Sequence, residues 1–180
     1  MKRIMVLGGA GSGKSTTARR LGDRFGLPVV HVDHMYWAPG WTERPRDETD
    51  RLARAAAEAE AWVFDGNHLR SADHRAARAD LIVFLDLPLH IRLFRILLRS
   101  WRFRGETRPD MAEGCPEQWP DRAFLRFVLG YGRDGRRRTL AFLERWRDKV
   151  PVAHLESPRA VRAFLADLQG PVSTSRTRAG

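Results

Sequence analysis

Cysteine is all but missing from this chain: Cys115 stands alone among 180 residues. One thiol cannot close a disulfide within the chain, so stability has to come from a packed core. A lone cysteine also points to a reducing, cytoplasmic compartment. Long apolar runs are missing too. The stretch Ile4 to Leu7 ends at Gly8-Gly9, too short for the apolar part of a secretory leader. No segment approaches the roughly 18 apolar residues of a membrane-spanning helix, so no membrane partner is expected. Lysine is scarce: Lys2, Lys14 and Lys149 are the only lysines among 32 basic side chains, which outweigh 22 acidic ones to give a net charge of +10. The excess is therefore arginine, the side chain suited to bidentate phosphate contacts. A phosphate-bearing partner is expected, and charge alone does not separate nucleotide from nucleic acid. The six histidines (His31, His34, His68, His74, His90, His154) show no zinc-ligand spacing, and there are no internal repeats.

Apolar residues make up 43% of the chain, enough for the core of one domain. Strand-like and helix-like patterns alternate. Short apolar runs predict strands at 3–7, 29–32, 62–64, 81–87 and 150–155. Helical spacing predicts helices at 14–25, 46–60, 69–78, 89–103 and 121–147, the last broken near Gly130-Tyr131-Gly132. Gly26 and Pro28 stop the first helix. Ser157 caps a final helix with Pro158 in its first turn, and Gly170-Pro171 closes it. Strands separated by helices imply a parallel sheet covered on both faces. The expectation is one domain over 1–170 followed by a flexible tail at 171–180. The polar segment 103–120 fits neither period, and a loop of that length inside a compact domain suggests a lid.

The strongest local signal is Gly8-Gly9-Ala10-Gly11-Ser12-Gly13-Lys14-Ser15, which matches G-x-x-x-x-G-K-[ST] with a strand before it and a helix after it. The glycines let the backbone curl until its N–H groups face a phosphate, and the start of the helix adds positive potential. Lys14 then reaches the β and γ phosphates, the Ser15 hydroxyl ligates Mg²⁺, and Thr16 donates to the α-phosphate. The motif specifies a nucleoside triphosphate with Mg²⁺, and many chemistries use it. An N-K-x-D base-recognition motif of GTPases and the L-S-G-G-Q signature of transport ATPases are both absent.

Asp33 and Asp65 are each read at the carboxyl end of a strand, the edge where open α/β sheets bind ligands. Asp65 suits a water-mediated hold on Mg²⁺, and Asp33 suits the acceptor group or its proton. Asp86, followed closely by Pro88, reads as structural. Tyr36, Trp37 and Trp41 either stack on a flat ligand or pack a small helical insertion. Arg92, Arg95, Arg99 and Arg102 recur along one helical arc, opposite Leu93, Phe94, Leu97, Leu98 and Trp101. The helix is expected to bury the apolar face and present guanidinium groups to phosphates. Arg104 and Arg108 extend the charge into the candidate lid, and Arg126, Arg133 and Arg136 to Arg138 are placed to join it.

Taken together, Gly8 to Thr16, His31-Val32-Asp33 with Tyr36-Trp37, Asp65-Gly66-Asn67, Ile82 to Pro88, Arg104 to Met111 and Gly114 to Glu117 make the chain resemble a known family over residues 1–169. It is the adenylate-kinase-related P-loop family called "DNA topology modulation protein" (FlaR-like), within the nucleoside-monophosphate-kinase group. The resemblance implies a five-stranded parallel sheet in order 2-3-1-4-5, a substrate-binding insertion near 34–60 and a lid near 103–120. It matches Arg95 and Arg99 to the R-x-x-x-R that opens the lid, and Asp65-Gly66 to the D-G of the acceptor site. Adenylate kinases continue that motif as D-G-F-P-R, whereas this chain reads Asp65-Gly66-Asn67-His68-Leu69. The acceptor-orienting arginine thus has no direct match. The leading expectation is an ATP- and Mg²⁺-dependent phosphotransferase, monomer or homodimer, acting on a nucleotide or another small acceptor. In it the phosphate loop (Gly8, Gly9, Gly11, Ser12, Gly13, Lys14, Ser15, Thr16) holds the donor, Ser15 and Asp65 hold the metal, and Lys14, Asp33, Arg95, Arg99 and Arg108 serve catalysis. A nucleic-acid-associated nucleotide-binding regulator is the second reading. A kinase of a hydroxyl metabolite, as shikimate and gluconate kinases are, is the third.

Overall fold

The computed structural model describes residues 1–168; the expected tail at 171–180 and the Gly170-Pro171 stop lie outside the described residues. The elements in chain order are β1 (Arg3–Gly8), α1 (Lys14–Phe25), β2 (Val29–His31), α2 (Val32–Tyr36), β3 (Trp37–Ala38), β4 (Thr42–Glu43), α3 (Arg46–Ala57), β5 (Trp62–Asp65), α4 (Ala72–Ala76), β6 (Leu81–Leu85), α5 (Leu89–Arg102), α6 (Arg122–Gly130), α7 (Gly135–Trp146), β7 (Val152–Leu155) and α8 (Pro158–Asp167). Five strands form one parallel sheet in order β2-β5-β1-β6-β7. This is the expected 2-3-1-4-5 arrangement. No helix among the described residues is long and apolar enough to cross a membrane.

The sheet is buried on both sides because successive residues of each central strand serve opposite faces. Met5, Leu7, Phe64, Ile82 and Phe84 pack with Ala72, Ala76, Phe142 and Leu143 on one side. Ile4, Val6, Val63, Val83 and Leu85 pack with Ala18, Leu21 and Leu165 on the other. Parallel pairing brings the carboxyl ends of all five strands to one edge, with Val6 opposite Asp65 and Gly8 opposite Leu85.

Three expectations need correction. Strand β2 stops at His31, and Val32 turns inward to start α2, so Asp33 sits in the first turn of a helix. The aromatic insertion is not purely helical: Trp37-Ala38 and Thr42-Glu43 pair as an antiparallel hairpin. The third difference is the orientation of α5. Its buried positions are Arg92, Ile96 and Ser100, while Phe94, Leu97, Leu98 and Trp101 are exposed. The predicted break between α6 and α7 is present, spanning residues 131–134.

Candidate active site

Backbone geometry dictates the phosphate loop. When the N–H groups of a tight loop converge on one point, its carbonyls must turn outward and find donors elsewhere. Helix α5 supplies them. Arg92 donates from Nη1 to the Ala10 carbonyl at 3.4 Å and from Nε to Leu87 at 3.2 Å; Arg95 donates to the Ser12 carbonyl at 2.8 Å. Lys14 Nζ lies 3.3 Å from the Gly9 carbonyl. This is why the arginine face of α5 points inward, and the electrostatic demand of the loop outweighs the hydrophobicity of Phe94 and Trp101. Gly11, at φ +76°, has no room for a side chain: a Cβ there would collide with the Arg92 carbonyl.

On the other side the loop is clamped by Asn67, the chain's only asparagine. Its Oδ1 accepts from Gly8 N and its Nδ2 donates to Gly8 O, both at 2.9 Å. The segment carrying Asn67 is in turn fixed by Arg75. This fully buried guanidinium donates to the carbonyls of Gly66 (3.0 Å), Asn67 (2.8 Å) and His68 (2.9 Å), and stacks over Phe64. Burial pushes the Arg75 pKa down to about 10, with Asp50 partly offsetting it. Neither residue was singled out from the sequence as a clamp. A lone asparagine beside the D-G motif was the available signal for one; nothing local marks the other.

A cleft of about 1440 Å³ opens over the loop and is lined by residues from both ends of the chain. Its donor-side wall carries Lys14, Arg95, Arg99, Arg108 and Arg162, with Phe124, Phe127, Pro158 and Val161 beyond them. Two pairs of like charge meet here. Arg95 is pushed below its ordinary pKa by burial and by Arg162, and Arg99 by burial and by Arg108, with Glu117 opposing. Such pairs favour an anion between them. The buried Glu117 holds the second pair in register, accepting from Arg99 Nε at 2.9 Å, Ser100 Oγ at 3.0 Å and Arg108 Nε at 2.7 Å. Arg108 also donates to Asp110 at 2.6 Å. Burial would raise the Asp110 carboxyl, but Arg108 and the Ser15 hydroxyl hold it below the usual range. Asp110, not singled out from the sequence, thus brings a carboxylate from the 103–120 segment to Ser15.

Ser12, Gly13, Ser15, Thr16 and Asp33 line the cleft, whereas Asp65 lies behind its wall. The Asp65 Oδ2 meets His31 Nδ1 at 2.7 Å, and its buried Oδ1 has no protein partner. Asp33 faces solvent inside the cleft but is ringed by protein at longer range. That enclosure raises its pKa, Lys14 pulls it down, and Asp65 raises it again. Asp86 lies apart, with Arg136 Nε 2.9 Å from each oxygen and His154 at 3.0 Å, so Arg136 is held away from the cleft and Asp86 is structural. Glu156 lies close to the same pair.

The roof is one piece made from two segments. Gly40 N donates to Gly114 O at 2.8 Å, Trp41 Nε1 to Pro116 O at 3.0 Å, and Cys115 Sγ to Ala38 O at 3.3 Å. Gly114, at φ +75°, packs so close to Pro39 that a Cβ would strike the proline ring. Trp41 is the only described non-glycine residue with positive φ, at 60°. A bulky residue in that region costs about 1–2 kcal/mol and marks a constrained site.

No family model matches this chain. It is 29% identical over 168 residues to the Bacillus subtilis (strain 168) protein YqaC, described as uncharacterized, covering 89% of this chain and 91% of that protein. It is 33% identical over 114 residues to the cytidylate kinase of Methanothermobacter thermautotrophicus, covering 54% of this chain and 68% of that enzyme. A shikimate kinase from Acinetobacter baumannii, solved in complex with shikimate, superposes with a TM-score of 0.57 over 94% of this chain and 91% of its own, at 18% identity. That likeness shows the fold, a P-loop α/β sheet.

Proposed function

The chain belongs to the P-loop nucleotide-kinase family and is a P-loop kinase, and from that premise we propose that it transfers the γ-phosphoryl group of ATP, with Mg²⁺, to a small acceptor bound beside Asp33. One observation carries this reading: the phosphate loop, two arginine pairs and the Asp33 carboxylate converge on a single cleft.

The loop amides and Lys14 would hold the β and γ phosphates. Arg99 and Arg108, kept parallel by Glu117, would stabilise the charge that spreads over the transferring group. Arg95 serves chiefly to position the loop through Ser12. Phe124, Phe127, Pro158 and Val161 offer an apolar slot for the base. The oxygen donors that line the cleft suit Mg²⁺: the Ser15 hydroxyl and the Asp110 carboxylate against it. Bound there, Mg²⁺ would neutralise charge on the donor phosphates.

Asp33 would accept the acceptor's proton as the new O–P bond forms and the β–γ bridging bond breaks, releasing ADP. A coupled ADP-release assay with ATP and Mg²⁺ tests the reading. Acceptor-dependent release that disappears in Lys14→Ala is expected. ATP binding without acceptor-dependent release across nucleotides, nucleosides and hydroxyl metabolites would overturn it.

A further inference from the structure

The acceptor side of the cleft differs in charge from the donor side. Every arginine lining the cleft comes from α1, α5, the 103–120 segment or α8. The wall supplied by the insertion is Asp33, Tyr36, Trp37, Gly40, Trp41 and Glu43, with two carboxylates and no cation. Of the nearby arginines, Arg46 acts on Tyr36 but does not line the cleft, and four others are engaged elsewhere. Arg44 donates to the His34 and Met35 carbonyls, Arg54 to Asp50 and Arg70 O, and Arg70 to Asp47. Arg75 is buried on three carbonyls.

A phosphomonoester placed here would face Asp33 and Glu43, and the cations nearest Asp33, Lys14 and Arg108, are those assigned above to the donor phosphates. The aromatic side chains point to a different ligand. Trp37 meets Trp41 edge-on at 5.3 Å and Tyr36 at 4.9 Å, which leaves ring surface facing the cleft. Trp41 is held there at its unusual backbone angle by the bond from its indole to Pro116. Flat rings beside a carboxylate recognise a ligand with an apolar ring face and a hydroxyl at its edge.

Resting on the phosphotransferase reading above, we infer that the acceptor is a ring compound carrying a free hydroxyl and no phosphate of its own, seated on Trp37 and Trp41 with that hydroxyl at Asp33. Nucleosides and sugars share this chemistry.

The test runs the full chain with ATP and Mg²⁺ against three arms: adenosine and cytidine, glucose and glucosamine, and AMP and CMP. Calorimetry of each compound in the presence of a non-hydrolysable ATP analogue accompanies it. Turnover in either unphosphorylated arm, with the monophosphates at least about tenfold poorer in kcat/KM, supports the inference and names the source. Turnover with AMP or CMP at equal or greater kcat/KM overturns it while leaving the phosphotransferase reading intact. Binding of an unphosphorylated compound without turnover supports the acceptor site and overturns phosphoryl transfer. Neither binding nor turnover in any arm overturns both.

For the compound that works, Trp41→Ala should raise the acceptor KM about tenfold, as loss of a stacking face does, with the KM for ATP within about twofold. Asp33→Asn guards against a misfolded hairpin. It should keep acceptor binding and lower kcat by about 10²-fold or more; an unchanged kcat would overturn the placement of the hydroxyl.

Discussion

The floor of the cleft and its roof are built by different means. The floor is local: nine consecutive residues, Gly8 to Thr16, curl by glycine geometry; donors from α5 take up outward carbonyls, and the Asn67 amide both accepts from Gly8 N and donates to Gly8 O. The roof joins segments 75 and 77 residues apart in sequence through single hydrogen bonds. A floor can therefore be specified by one contiguous motif, while a roof needs two distant segments to meet. On the proposed reading, recognition of the donor rests on backbone and recognition of the acceptor on side chains.

The largest expected effect tests whether the floor depends on what lies behind it. Arg75→Met strands three carbonyls and should lower unfolding free energy by about 3–6 kcal/mol in urea titrations. A loss under about 1 kcal/mol would mean the clamp is dispensable. Gly11→Ala combines a left-handed backbone with a clash against Arg92 and should weaken ATP binding by about 2–4 kcal/mol by calorimetry, with acceptor binding little changed. Glu117→Gln removes the charge that aligns Arg99 and Arg108 and should cost about 1–3 kcal/mol, read as a raised KM for ATP and faster proteolysis within 103–120.

Asp33→Asn probes strain on the acceptor side. A carboxyl raised in the folded state ionises first in the unfolded chain, so its charge disfavours folding once pH exceeds the unfolded value near 3.8. Removing it should raise Tm at pH 7, by no more than about 2 °C because the group meets solvent, and should leave Tm unchanged below pH 3. The smallest effect is expected outside both regions: Trp101→Ser on the exposed face of α5 should shift stability by under about 0.5 kcal/mol.

The sequence made the floor legible because its chemistry is contiguous: Gly8 to Thr16 needs no partner to be recognised. The sheet order followed from apolar runs that end at one edge. Asp33 was placed at the right edge on the wrong element, because Val32 reads equally well as the last residue of a strand or the first buried residue of a helix. The α5 arginines do face the cleft as their spacing predicts, but the apolar face opposite them is exposed, since hydrophobic spacing carries no record of the carbonyls at Ala10 and Ser12 that draw the arginines inward. Glu117 and Asp110 fall within the blocks that carry the family resemblance, but the sequence gives them and Arg75 no role, because their partners are set by tertiary contact and a charged residue in a polar segment resembles any solvated one.

The joined roof also constrains how such a chain can diversify. A residue inserted into the hairpin turn between Ala38 and Thr42 would carry Gly40 away from Gly114 and Trp41 away from Pro116 unless the 103–120 segment lengthened in step. The lengths of the two segments are thus coupled through these contacts. If the acceptor sits where proposed, its preference should change by exchanging side chains at positions 33, 36, 37, 41 and 43, with loop length held constant.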